Sequence, residues 1–528
     1  IGMTAEEIKK YINQVAFSGA TEFVEKYKDK TDGQQQIIGH FGLGFYSAFM
    51  VAEQVKIITL SHQADAEAAQ WTCDGSTSFS IEKTVKKERG TDIVLHIAED
   101  SKEFLDKHRL REILMKYCRF LPIPIELEGE VINQTDPIWT KAPADLKDED
   151  YQNFYKALYP LAEEPLFWIH LNVDYPFNLT GILYFPKINN NLDIQREKIQ
   201  LYSRQVFITD EVKEIVPQFL TLLHGVIDSP DIPLNVSRSF LQADGNVKKI
   251  NGYITRKVAD KLTEIFNQDR KAFEEKWESI GLFVKYGYVT EDKFAEKAQQ
   301  FCLLQNVEGK FYTFEEYRNL VQANQVDKND NTIWLYTSDA GKQNAYIQAA
   351  QKRQFDVLKL DNPFIDNHFI STLERKLEKT VLKRVDAETT EKLIDKGENK
   401  ESVLSQEEQE QLKNIFTTTL ANDKLTIQVE AMLPDEMPVV ITLSEHLRRM
   451  NEMAAAQGFT RFMNPLSAQM SVSLNGNHAL NRKILATTDP ATQQALVKQT
   501  YDLALLAHGM LEGASLTDFL QRSVQFLG

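Results

Sequence analysis

The sequence predicts a multidomain chain of mixed α/β (α+β) class, and three observations carry that prediction. Its 528 residues are far more than one hydrophobic core normally serves, so about three domains are expected. Hydrophobic residues make up 42% and charged residues 26%, the balance of a chain that buries packed cores. Strand-like and helical patterns alternate as far as Val385, and helical patterns dominate after it.

From the start, Ile8, Tyr11, Ile12 and Val15 recur at helical spacing, and Thr4-x-x-Glu7 is the capping-box pattern that opens a helix. Ser18 to Gln36 is polar and charged, and Ile37 to Val51 reads as a glycine turn leading into an apolar helix over Phe45 to Val51. Val55 to Leu60, Trp71 to Cys73 and Thr91 to His96 read as strands. Together they form a first α/β domain over 1–127, followed by a polar linker at 128–136. A middle α/β domain is expected over 137–385, with strands at Trp168 to Val173, Leu179 to Phe185 and Leu201 to Ile208. Helical patterns follow at Val216 to Leu223, Lys248 to Phe266 and Phe314 to Ala323. Thr332 to Thr337 and Phe355 to Leu360 are strand-like and flank a helical Asn344 to Lys352, the order of a βαβ unit. The charged stretch Asp386 to Lys413 opens a mainly helical C-terminal domain over 386–528, with strand-like Leu425 to Val429 and Val439 to Leu443.

Composition excludes several function classes. A formal net charge of −16 and a pI near 5.3 oppose nucleic acid as a partner, because phosphate binding needs clustered Lys and Arg. The three cysteines, Cys73, Cys118 and Cys302, suit neither a disulfide framework nor a CxxC-type metal site, and a reducing cytoplasm is the expected setting. No run approaches the roughly 20 apolar residues of a bilayer-spanning helix, and the mean hydropathy is −0.37, so no membrane span is expected. The ten histidines show no HExxH spacing, and no GxSxG elbow occurs, so no resident metal or hydrolase triad is expected. The opening Ile1-Gly2-Met3-Thr4-Ala5-Glu6-Glu7 has neither an initiator Met nor a secretory pattern and reads as the interior of a domain.

The chemistry concentrates at Gly39-x-x-Gly42-x-Gly44, which is flanked by Ile37 and Ile38 and opens a helix. Glycine lets a backbone approach a ligand closely, and a helix start offers unpaired N–H groups to an anion. By itself the spacing is equally that of a tight turn that lets a helix pack closely. Its companions extend the pattern: Ile1-Gly2-Met3-Thr4, Ala16-Phe17-Ser18-Gly19, the whole string Ile38 to Phe49, Arg89-Gly90-Thr91, and Asp228-Ser229-Pro230-Asp231-Ile232-Pro233-Leu234-Asn235-Val236-Ser237-Arg238. In this order and spacing the chain resembles bacterial members of the heat shock protein 90 family of chaperones, over essentially its full length and more weakly toward the C-terminus.

The resemblance implies a Bergerat-type ATP-binding α/β sandwich, shared with type II topoisomerases, mismatch-repair ATPases and histidine kinases. An α/β middle domain and a helical dimerisation domain would follow it. Gly2 and Met3 would line the adenine and sugar side, and Tyr11 and Ile12 would contact nucleotide along the next helix. Gly42, Leu43, Gly44 and Phe45 would present N–H groups to the phosphates, Thr91 would complete the adenine hydrogen bonds, and Ser18 to Gln36 would form a lid. Phe17 stands where the family usually has Lys, which puts a cation contact to ribose or phosphate in doubt. The family's adenine-reading Asp falls just before the position of Ile1. Its first helix, carrying the water-activating Glu and the Asn that helps hold Mg²⁺, lies further upstream. The N-terminal part of the nucleotide domain is therefore expected to be missing.

Phosphoryl transfer needs positive charge at the departing γ-phosphate, which an arginine from another domain can supply. The resemblance gives that role to Arg238, with Asn235 supporting it and Gln242 close by. Without the resemblance the same loop reads as a surface segment whose Arg pairs with Asp231 or Asp228. Further on, Leu447, Met450 and Met453 lie on or beside one helical face. Adaptable Met suits either a buried stripe or a client contact, and the resemblance favours client binding. Thr492 to His508 and Leu516 to Phe526 are strongly periodic, and in the family such helices pair into a homodimer. The tail lacks the Glu-Glu-Val-Asp ending of eukaryotic cytosolic relatives, which points to a bacterial protein.

The function implied is that of an ATP-dependent molecular chaperone, an ATPase using ATP and Mg²⁺ to drive a dimeric clamp around unfolded or partly folded client proteins. Two readings stand beside it. One is an ATPase-defective client-binding and dimerisation fragment. The other is a different Bergerat-type ATPase, which would need a DNA-facing basic region.

Overall fold

The computed structural model describes residues 1–15, 17, 19, 42–187, 199–212, 215–232, 245–362, 364–397, 402–443 and 470–527. The chain divides into two compact units. The first comprises Ile1–Pro186, Asp193–Val216 and Leu223–Ile250, and the second is chiefly Pro217–Leu222 and Asn251–Gly528.

The first unit opens with helix α1 (Ala5–Tyr11), started by the predicted capping box. Glu7 N donates to Thr4 Oγ1 at 3.2 Å, and Thr4 N donates to Glu7 Oε2 at 2.7 Å. An antiparallel sheet follows, made of β1 (Ala52–Leu60), β2 (Ala69–Cys73), β3 (Phe79–Lys83) and β4 (Gly90–Ile97), in the order β3-β2-β1-β4. Alternate residues of β1, Val55 and Ile57, face inward with Trp71 and close on Ile8 of α1. The apolar helix expected over Phe45 to Val51 is present as a 3₁₀ helix, Gly44–Met50. Ser47 Oγ donates to Gly44 O at 2.6 Å and so competes for a carbonyl at the helix start.

Helix α2 (Lys107–Tyr117) and a small hairpin of β5 (Glu126–Leu127) and β6 (Glu130–Val131) come next, joined by Arg111–Glu130 at 2.5 Å. Beyond them, α3 (Asp148–Leu158) covers a second sheet of β7 (Phe167–Val173), β8 (Leu179–Phe185), β9 (Ile199–Ser203), β10 (Val206–Thr209) and β11 (His224–Asp228). The order is β10-β9-β11-β8-β7, with β11 antiparallel to β8 and parallel to β9. Tyr151, Phe154 and Tyr155 of α3 pack with Ile182, Tyr184, Tyr202 and Val226 of the sheet, and Phe120 and Trp139 complete the layer. The strand expected over Leu201 to Ile208 is broken into β9 and β10 at Arg204 and Gln205, whose φ values of 53° and 64° make a two-residue hairpin turn.

Helix α4 (Gly245–Gln268) belongs to the second unit from Asn251 onward, and that unit continues through α5 (Arg270–Glu275), α6 (Trp277–Thr290) and α7 (Asp292–Ala298). After the short pair β12 (Leu304–Gln305) and β13 (Phe311–Tyr312) comes α8 (Phe314–Val321). The predicted βαβ unit then appears as β14 (Thr332–Thr337), α9 (Asn344–Lys352) and β15 (Val357–Lys359), with β14 and β15 parallel. A second crossover through α10 (Asp366–Lys376) places β16 (Thr380–Arg384) on the other side of β14, which is buried at every position. The last part holds α11 (Thr390–Leu393), α12 (Gln406–Leu420), β17 (Leu425–Glu430), β18 (Val439–Leu443), β19 (Met470–Asn475), α13 (Ala479–Ala486), α14 (Pro490–Ala507) and α15 (Gly513–Leu527). Its helices enclose a sheet of order β17-β19-β18, whose central strand β19 carries no sequence expectation.

Candidate functional site

The residues predicted to read a nucleotide base meet where α1 enters against the ends of β1 and β4. Gly2 has φ +74°, and a Cβ there would lie 1.8 Å from Leu60 O, so no side chain fits between α1 and the sheet. The next residue is tied down by a buried hydroxyl: Met3 N donates to Thr59 Oγ1 at 2.8 Å. Thr59 Oγ1 lies 3.1 Å from Gly90 O and 2.8 Å from Thr91 Oγ1. A hydroxyl has one proton, so when Thr59 gives it to Gly90 O, Thr91 is the donor to Thr59 and keeps its own lone pairs free. The structure thereby joins Met3 and Thr91 through Thr59, a residue sequence reasoning missed. Its one signal was a polar position on the inward-facing repeat of Val55 and Ile57, and its role depends on the register that pairs Thr59 with Thr91.

The glycine loop meets the other end of α1. Tyr46 Oη donates to Ile12 O, and burial pushes its pKa above the usual tyrosine value, which keeps it a donor. Phe45 packs edge-on against Trp71 at 5.8 Å and Phe49 at 6.3 Å, while Trp71 Nε1 donates to Asn13 Oδ1 at 2.9 Å. Gly42 has φ +62°, and a Cβ there would fall 2.3 Å from Phe17 O, so its glycine is required by the fold itself. A Cβ on Gly44 would meet nothing within 4 Å. The backbone N–H groups of Gly42, Leu43, Gly44 and Phe45 have no acceptor among the described residues. Four consecutive N–H groups with no acceptor among the described residues, beside a glycine with open space, suit an oxyanion such as a phosphate.

Nearby charges are already committed. Glu7 is held by the capping box and by Gln63 Nε2 at 3.2 Å, and Glu6, also in the first turn of α1, pairs with Lys9 at 2.8 Å. Lys10 Nζ lies 5.0 Å from the Tyr11 ring and 5.6 Å from the Phe17 ring, so a cation stands beside the position where Phe17 replaces the usual Lys. Among the described residues, no group of three His, Cys, Asp or Glu side chains is arranged to hold a metal ion. None of the described helices is long and apolar enough to cross a membrane.

Other predicted site residues fall outside the described residues: Asn235, Arg238 and Gln242, the client-face residues Leu447, Met450 and Met453, and nearly all of the stretch Ser18 to Gln36.

Comparison with known proteins bears on the whole chain. A family model described as "Hsp90 protein" matches residues 126–527. The chain is 50% identical over 514 residues to "Chaperone protein htpG" of Bacteroides fragilis, covering 94% of this chain and 75% of that protein. It is 45% identical over 609 residues to "Chaperone protein HtpG" of Bacteroides thetaiotaomicron, covering all of this chain and 89% of that one. To "Heat shock protein 75 kDa, mitochondrial" of Rattus norvegicus it is 28% identical over 535 residues, with 97% and 74% covered.

Proposed function

The chain belongs to the Hsp90 family, and from that premise we propose that it is a chaperone whose work on clients is driven by ATP binding and hydrolysis. The observation that supports the reading best is the pairing, at opposite ends of α1, of the corner Met3–Thr59–Thr91 with the run of N–H groups from Gly42 to Phe45 that have no acceptor among the described residues. A nucleotide needs both: hydrogen bonds for its base and a cradle for its phosphates. In this reading Gly2 and Met3 line the adenine side, Tyr11 and Ile12 flank the nucleotide along α1, and Thr91 turns its free lone pairs to adenine. Gly42, Leu43, Gly44 and Phe45 hold the phosphate oxygens.

Hydrolysis breaks the bond between the γ-phosphorus and its bridging oxygen and forms one to a water oxygen. Arg238 supplies positive charge to the departing phosphoryl group, aided by Asn235 and Gln242. Mg²⁺ bound with ATP would neutralise charge on the phosphates. Because the cradle and Arg238 belong to separately expected domains, 1–127 and 137–385, turnover would wait on their closure and report a conformational step.

Unfolded or partly folded proteins are the proposed clients, met through Leu447, Met450 and Met453, in a cytoplasmic setting. The homodimer is assigned to 386–528. Leu503, Leu506, Leu520, Val524 and Leu527 on α14 and α15 all keep more than a third of their surface exposed, an apolar area that a second copy would cover.

The test is an ATP titration by calorimetry together with phosphate release, on this chain and on a form extended at its amino end. Saturable binding to the chain that Thr91→Val weakens supports the reading. Absence of binding to either form would overturn it. Binding without turnover in both forms favours the client-binding and dimerisation reading.

A further inference from the structure

The cradle from Gly42 to Phe45 offers a ligand backbone dipoles but no full positive charge, since none of its four residues is basic. A nucleoside di- or triphosphate carries several negative charges, and the chain has a formal net charge of −16, so a cation close to the phosphates is needed to offset repulsion. The two adjacent lysines of α1 differ in this respect. Lys9 is exposed and pairs with Glu6 at 2.8 Å, as a solvated helix lysine does. Lys10 is half-buried, with its Nζ 5.0 Å from the centre of the Tyr11 ring and 5.6 Å from that of Phe17. Those two rings are 5.9 Å apart, so they and the ammonium group form one cluster at the end of α1.

That cluster borders the cradle. A Cβ on Gly42 would fall 2.3 Å from Phe17 O and 3.0 Å from Phe17 N, so the glycine loop rests on the backbone of Phe17. Tyr46 Oη donates to Ile12 O, which holds the start of the 3₁₀ helix against the same end of α1. Phe17 therefore has Lys10 beside its ring and Gly42 against its backbone. Aromatic faces hold an ammonium group weakly, and the flexible four-carbon stem of lysine lets it turn to a nearby oxyanion, where the hydrogen bond is charge-assisted and stronger.

We propose that Lys10 is a phosphate-binding cation of this site: its ammonium group donates to the phosphate oxygens of a nucleoside di- or triphosphate seated on the N–H groups of Gly42 to Phe45. This deepens the nucleotide reading of the site and rests on it. Lys10 acts on the charge of the ligand, so it favours phosphorylated nucleotides and adds nothing to the binding of the bare nucleoside. Tyr11 and Phe17 keep the ammonium group at the edge of the cradle when no ligand is bound.

The experiment titrates ATP, ADP and adenosine by calorimetry into the full-length natural protein and its variants Lys10→Gln, Lys10→Arg and Lys9→Gln, with thermal midpoints to confirm that each folds. Lys10→Gln is expected to weaken ATP and ADP binding about tenfold and to leave adenosine unchanged, because it removes a charge-assisted hydrogen bond that only phosphate receives. Lys10→Arg should keep most of the affinity, and Lys9→Gln should change none of the three. Unchanged ATP affinity in Lys10→Gln, an equal loss for adenosine, or an equal loss in Lys9→Gln would overturn the role of Lys10 and leave the nucleotide site standing. Failure of the unaltered protein to bind any of the three ligands would overturn the nucleotide reading and this proposal with it.

Discussion

The two sheets of the first unit are built to opposite standards. In β8 six of the seven residues are buried and helix α3 seals one face with tyrosine and phenylalanine rings. In β4 no residue is buried: Ile93 and Leu95 stand on the face that Val55 and Ile57 of β1 bury, yet they keep 53% and 40% of their surface exposed. The first sheet packs around Val55, Ile57 and Trp71 on β1 and β2 but leaves β4 open and ties it by polar contacts at one end, whereas the second is sealed through its inner strand β8. On the proposed function the open sheet is the one that admits nucleotide, and an accessible edge suits that role. The sharpest way to break this contrast is a matched pair of truncations. Ile182→Ala in the second sheet should cost about 2–5 kcal/mol, and Ile93→Ala in the first less than about 1 kcal/mol, by urea unfolding followed through circular dichroism. Equal costs would remove the distinction.

Acid should separate the two sheets next. His224 on β11 accepts or donates at Nδ1 with Tyr155 Oη at 2.9 Å, and burial lowers its pKa from 6.5 to about 4. The folded form resists a proton that the unfolded chain takes up below pH 6.5. Stability from the neutral ring is therefore complete above pH 6.5 and is lost as pH falls toward 4, by up to about 3 kcal/mol. His224→Gln should flatten that part of the pH profile when unfolding midpoints are measured from pH 7 to pH 4. An unchanged slope would show that the acid response arises elsewhere.

What the sequence disclosed divides along the same line. The strand of β8, the helix α9 and the capping box of α1 were legible because each is a local pattern: a run of apolar residues, a helical repeat, a Thr and a Glu three apart. The strand β3 was not, since Phe79–Lys83 is largely exposed and offers no alternation to read. Helix α2 was missed for a similar reason, having no buried residue, and the hairpin of β5 and β6 lies in a stretch whose polarity suggested only a linker. At the candidate site, Gly2, Met3 and Thr91 came from motif resemblance, whereas Thr59 emerges only when the strand register that pairs it with Thr91 is known. Residues that act through distant partners leave no local trace.

Thr59 tests whether the open sheet depends on its polar ties. Thr59→Val keeps the shape but leaves Met3 N–H and Gly90 C=O without their partner, at a cost of about 1–2 kcal/mol. Nucleotide affinity should fall about tenfold as Thr91 loses the group that orients it, read by titration calorimetry. A stability loss with intact affinity would reduce Thr59 to a structural tie.

The smallest expected effect on the fold is also the most telling about the ligand. Gly42 and Gly44 belong to one motif, but the fold explains only the first, where a positive φ and Phe17 O leave no room for a Cβ. At Gly44 a Cβ would enter open space, and alanine favours a helix start over glycine, so Gly44→Ala should shift stability by less than about 0.5 kcal/mol. If the space is kept for a phosphate held by the N–H groups of Gly42 to Phe45, the same methyl group should weaken nucleotide binding while the thermal midpoint stays in place. A variant that both melts normally and binds normally would leave Gly44 without a role in the cradle, and the glycine loop would then be a packing turn built around Gly42 alone.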